Sequence, residues 1–167
     1  MPRLRTFALI GKFGAVAVAA VVIQAILSFK FRVFNYFDLP LICSVYYGFT
    51  LSNPIASILL GSTLGVMQDS LSGAALGING FAKTVIGFLA ASAAGKFAVD
   101  QPITRLLGLF LFTLGDGLLV SMLTLVIAPG SNSSYAALGG WLLSATFNSL
   151  LGLAFLGYHD RWRDART

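Results

Sequence analysis

Three ionisable side chains interrupt long apolar runs: Asp69, Lys83 and Asp116. At mid-membrane each would cost on the order of 2.5–3.5 kcal/mol, so such residues face a bundle interior and take partners there. Asp69 lies four residues before Gly73, and Lys83 six residues after Gly77. At ~1.5 Å of rise per helical residue, both fall within ~10 Å of one tight turn. Antiparallel helices on either side of that turn would bring the two charges to one depth. The spacing therefore predicts an Asp69–Lys83 ion pair. Asp116 stands between Gly115 and Gly117, and Asn148 in the last apolar run is a potential donor to it. Asp116 reads either as a proton relay, substrate contact or polar lock, or as a protonated or hydrogen-bonded structural carboxyl. The chain has no Glu, and its single His is His159, close to the C-terminus. General acid–base chemistry would rest on very few groups.

Gln68, Asp69, Ser70, Ser72, Asn79 and Lys83 form a polar cluster around the same turn. Gly73 and Gly77 suggest unusual backbone angles there. No phosphate loop, zinc spacing or nucleophile elbow occurs, so no catalytic residue, metal or cofactor is expected. Cys43, the one cysteine, lies in an apolar stretch and reads as a small buried hydrophobe.

Small residues recur every fourth position: Gly11, Ala15 and Ala19; Gly61 and Gly65; Gly87, Ala91 and Gly95. Residues four apart share a helix face, and small ones let backbones approach closely. Such ridges serve internal packing, or one of them faces a partner protein. The first is the best candidate for a partner, because the rest of that run is plain aliphatic.

These residues need apolar helices to position them. The chain has 167 residues, 57% hydrophobic and 10% charged, against about 25% charged in soluble domains. Mean hydropathy is +0.85. This composition excludes a water-soluble enzyme domain and a disordered chain. It also excludes a nucleic-acid binder despite the net charge of +5. Six segments approach the length of a membrane span: residues 7–29, 39–52, 54–73, 78–99, 103–128 and 136–158. They predict an all-α polytopic membrane protein, a six-transmembrane-helix bundle forming one domain, with a polar tail over 159–167. Asp38 followed by Pro40 reads as an N-cap and first turn of the short second segment, which leaves open whether that segment crosses completely. Pro2-Arg3-Leu4-Arg5 resembles the basic start of a signal peptide. The apolar run behind it is too long and lacks a polar region after it, so it reads as an uncleaved first helix.

Orientation follows from the basic residues. With six spans and a cytoplasmic N-terminus, Arg3, Arg5, Lys12, Lys96, Arg105, Arg161, Arg163 and Arg166 lie inside, and only Lys30 and Arg32 outside. Both termini are then cytoplasmic, and the polar cluster lies toward the outer face. A five-span arrangement would put the arginines of the tail outside.

The stretch from Gly61 to Leu89 resembles the rod shape-determining protein MreD family. It has Gly61 and Gly65 followed by Asp69, then Gly73, Leu76-Gly77-Ile78-Asn79 and Lys83-Thr84. Length, number of apolar runs and basic ends agree. The resemblance implies a non-catalytic scaffold in the bacterial inner membrane, within the cell-elongation complex that positions peptidoglycan synthesis. Its implied partner is the single-span protein MreC. Through the complex it would reach RodA, its class B transpeptidase partner and MreB filaments. Membrane lipids and a second copy of the chain are further possible contacts. The resemblance also implies a fold like the substrate-binding subunit of energy-coupling-factor transporters, six helices around an outward-facing pocket. That likeness supplies the rival reading, a vitamin-binding transporter subunit.

Overall fold

The computed structural model describes residues 2–73, 75–96, 101–127 and 138–164. Residues 97–100, 128–137 and 165–167 lie outside the described residues, and with them the connection expected between the fifth and sixth segments and the last three residues of the tail. So does the packing around Gly11.

The fold is all-helical. Six helices follow in order: α1 (Pro2–Lys30), α2 (Leu39–Leu51), α3 (Pro54–Ser72), α4 (Ile78–Ala94), α5 (Pro102–Ile127) and α6 (Leu138–Asp164). A short 3-10 helix, Arg32–Tyr36, joins α1 to α2. The helices break where local chemistry requires it. Asp38 caps α2 by accepting from the Leu41 N–H at 2.9 Å, with Pro40 in the first turn. Asn53 caps α3 in the same way, accepting from the Ile55 and Ala56 N–H groups at 3.1 and 3.3 Å, ahead of Pro54. Gly73 and Gly77 take φ of +67° and +99°, backbone angles that few other residues tolerate, and so turn α3 back into α4.

The short α2 is the centre of the bundle. It packs against each of the other five helices. Residues 40–48 are all buried, and a helix that is buried all round must be enclosed by protein. Leu41 and Val45 meet Leu64 of α3, Ile86 and Ala90 of α4, Leu109 of α5, and Ala17 and Val21 of α1 in one core. Cys43 lies in this core as a free, buried thiol.

The outer faces are apolar. Ile26, Ile55, Leu111, Leu125 and Leu150 are exposed. Apolar surface on this scale suits lipid rather than water. Among the described residues, Ile103–Ile127 of α5 is the one stretch long and apolar enough to cross a membrane by length and composition. Ala15–Lys30 and Ile78–Ala94 are shorter apolar helices.

The small-residue ridges have separate destinations. Gly61 and Gly65 face α4 so closely that an added Cβ would collide with the carbonyls of Lys83 and Asn79. Across the same contact, a Cβ on Gly87 would lie 2.8 Å from the Ser57 carbonyl oxygen. These ridges hold α3 against α4. Ala15 and Ala19 are exposed, while Ala17 and Val21 of the same helix are buried. Gly61 and Gly65 meet backbone, which cannot yield as a side-chain tip can. Gly65→Ala is therefore expected to destabilise the protein by about 1–3 kcal/mol or more, read as a lower thermal midpoint in detergent. Gly95→Ala, whose Cβ would meet nothing closer than 3.9 Å, should leave that midpoint unchanged.

Candidate functional site

The site grows from one residue. Lys83 lies on the inner face of α4, fully buried. A buried ammonium must be paired and hydrogen-bonded. Its Nζ donates to Asp38 Oδ2 at 2.8 Å and to Asn79 Oδ1 at 3.4 Å. A second carboxylate, Asp116 of α5, places its Oδ2 at 3.8 Å. One cation and two carboxylates thus share the interior where α2, α4 and α5 meet.

Asp38 is a junction. Its Oδ1 caps α2 and its Oδ2 takes the lysine, while its backbone N–H donates to Asn148 Oδ1 of α6 at 2.9 Å. The next N–H, that of Leu39, donates to Gln24 Oε1 of α1 at 2.6 Å. Side chains from α1, α4 and α6 therefore converge on the first residues of α2.

Asp69 does something else. It is fully buried, and its carboxylate accepts from the backbone N–H groups of Gly77, Asn79 and Gly80 at 2.8, 3.2 and 3.2 Å. It also accepts from Asn79 Nδ2 at 2.8 Å. These are the free donors at the start of α4, where the helix dipole favours a negative charge. The expected Asp69–Lys83 ion pair is thus replaced by a cap, and the lysine pairs with Asp38 instead. Asn79 bridges the two motifs, donating to Asp69 and accepting from Lys83. The short turn carries Asp69 to the helix terminus, whereas Lys83 lies more than a turn further along α4.

Asn148 is also redirected. Its oxygen takes the Asp38 N–H, while its Nδ2 and Asp116 Oδ1 are both buried without a partner, so the expected donation to Asp116 is not formed. Gln68 turns away from the cluster and lines a cavity between α1 and α3. Asp69, Asn79, Lys83, Asp116 and Asn148 are brought together; Gln68 is not.

Two members escaped the sequence reading. Asp38 is legible there as a cap but not as the partner of Lys83. Its signal was position: the start of α2 and Lys83 lie at the same end of the bundle. Gln24 is a single amide in the apolar first segment, with no partner written near it in the sequence. Among the described residues, no three His, Cys, Asp or Glu side chains are grouped to hold a metal ion. The cluster's evident capacity is to lock helices together.

The described residues thus form an all-helical bundle with an apolar exterior, cross-braced by buried charges. The family model of the rod shape-determining protein MreD matches residues 6–158, and the chain belongs to that family. No curated protein and no solved structure matches it, so the likeness to the transporter subunit gains no support from a known fold.

Because Asp69 is a cap, exchanging the charges should not rescue the protein. The double variant Asp69→Lys/Lys83→Asp is expected to be at least as unstable as either single change, since it puts a cation at a helix N-terminus. Lys83→Met, which leaves two carboxylates unpaired, should cost about 3–5 kcal/mol. Thermal unfolding of the purified variants decides both.

Proposed function

We propose that this chain is a non-catalytic scaffold of the bacterial rod-shape complex, crossing the inner membrane six times with both termini in the cytoplasm. Family membership supports a role in rod-shape determination. The basic residues support the orientation, through the excess of Lys and Arg on the inner side. Scaffolding suits a site whose buried polar groups are spent mainly on one another.

The observation that carries the partner assignment lies on α1. Ala15 and Ala19 are exposed on a helix whose Ala17, Val21 and Gln24 face the bundle. Small residues four apart on an outward face are what a second transmembrane helix packs against in lipid. The occupant proposed is the single transmembrane helix of an MreC-like protein. RodA, its transpeptidase partner and MreB are reached through that complex.

Affinity purification from native membranes tests this reading. The tagged chain should retain an MreC-like single-span protein, and Ala15→Leu/Ala19→Leu should reduce recovery roughly tenfold, a loss of about 1.4 kcal/mol. Recovery of a coupling protein with paired ATPases would point to a transporter subunit instead. Orientation is separately testable: because Cys43 is buried, single cysteines introduced at Lys30 and Lys96 can be labelled over a low background. Position 30 should react from outside, and position 96 only after the membrane is opened.

A further inference from the structure

Three carboxyl groups act on the Lys83 ammonium, and they are not served alike. Asp69 is fully buried and accepts from four N–H donors, three of them backbone. Asp38 accepts from the Leu41 N–H at 2.9 Å and from Lys83 Nζ at 2.8 Å. Asp116 is only 5% exposed, yet its Oδ1 has no partner. Its Oδ2 lies 3.8 Å from Lys83 Nζ, beyond hydrogen-bond distance. A carboxylate taken out of water needs donors to replace the water. Asp38 and Asp69 have them, and Asp116 does not.

The charges around Asp116 point the same way. α4 contributes Lys83, the residue before α2 contributes Asp38, and α3 contributes Asp69. Asn148, the polar group that α6 brings to this cluster, is uncharged. Lys83 is the one cation among these groups, and its short contact is with Asp38. Two carboxyl groups that share one site do not readily ionise together. We propose that Asp116 is a proton-binding site: it is the neutral carboxylic acid of this arrangement, and Lys83 turns to it from Asp38 only when that proton leaves. A proton is also the ligand that needs no room, and Asp116 Oδ1 is enclosed by protein.

Proton loss has a structural consequence. Lys83 Nζ is 2.8 Å from Asp38 Oδ2 and 3.8 Å from Asp116 Oδ2. A shift of about 1 Å therefore exchanges one hydrogen-bonded partner for the other. Asp38 would keep its cap on α2 but lose its tie to α4. The junction at the start of α2, where Gln24 of α1 and Asn148 of α6 also bind, is thereby linked to one proton.

Infrared spectroscopy of the purified full-length chain in detergent tests this. A protonated carboxyl has a carbonyl band of its own, which a carboxylate lacks. The chain has no Glu, and all six of its acidic residues are Asp. Asp carrying 13C in the side-chain carboxyl therefore marks every such band by an isotope shift. At about pH 6, where an ordinary Asp with a pKa of about 3.9 is ionised, a marked band should be present. It should vanish in Asp116→Asn, and in the unmutated chain it should disappear on alkaline titration.

Stability should follow, because the folded state holds a proton that the unfolded chain gives up. The thermal midpoint should fall as pH rises from about 3.9 to the pH at which the band is lost, and then level off. Asp116→Asn, which cannot become charged, should lack that part of the fall. Should it fail to fold, Asp116→Leu carries the test. Three results would overturn the proposal: no marked band at about pH 6, a band that persists in the folded variant, or failure of both neutral replacements to fold.

Discussion

An ammonium group without solvent has to find its counter-charge in the protein, and the arrangement of this bundle follows from that requirement at Lys83. The 2.8 Å contact with Asp38 fixes where α2 begins. The start of α2 in turn collects Gln24 from α1 and Asn148 from α6. Four of the six helices are therefore registered at one end of the bundle by contacts to two consecutive residues. Packing of apolar side chains alone would not give this, because lipid tails are as apolar as the helices and provide little drive for helix association. Polar contacts and close backbone approach do the sorting. The glycines of α3 supply the second of these, bringing the α3 backbone against the carbonyls of Lys83 and Asn79.

Charge and shape are linked through α2. Its 13 residues span about 20 Å, well short of the ~30 Å hydrocarbon core. A short helix in lipid would leave its ends in the wrong environment or thin the bilayer. Enclosure by the other five helices eases that problem along residues 40–48, where protein rather than lipid surrounds the helix. The same shortness lets a charged capping residue reach Lys83 without lengthening the lysine or kinking α4.

Most of the fold could be read from the sequence because helix boundaries here are written in local chemistry. Asp38-Leu-Pro40 and Asn53-Pro54 announce helix starts, and Gly73 and Gly77 mark the turn between α3 and α4. The site was harder, for a physical reason. Sequence spacing gave the depth of Asp69 and Lys83 but not the azimuth of their side chains. It could not show that the free N–H groups at the start of α4 would claim Asp69 first. Nor could it show that a carboxylate 45 residues away, across a helical hairpin, would take the lysine. Gln68 and Asp69 illustrate the limit: adjacent in sequence, they point about a quarter-turn apart, one into a cavity and one under a helix.

The separation of Asp38 from Lys83 also has a meaning in time. Chains are made from the N-terminus at about 5–20 residues per second, so Asp38 is added to the chain roughly 2–9 s before its counter-charge, 45 residues later. During that interval α2 is a short apolar helix with an unneutralised carboxylate at one end, poorly suited to lie alone in lipid. The pairing of Asp38 with Lys83 must therefore wait for α4, the helix that packs on α3 through glycine contacts and the Asp69 cap. Assembly of the bundle is in this sense ordered by the gene: the central helix is made early and seated late.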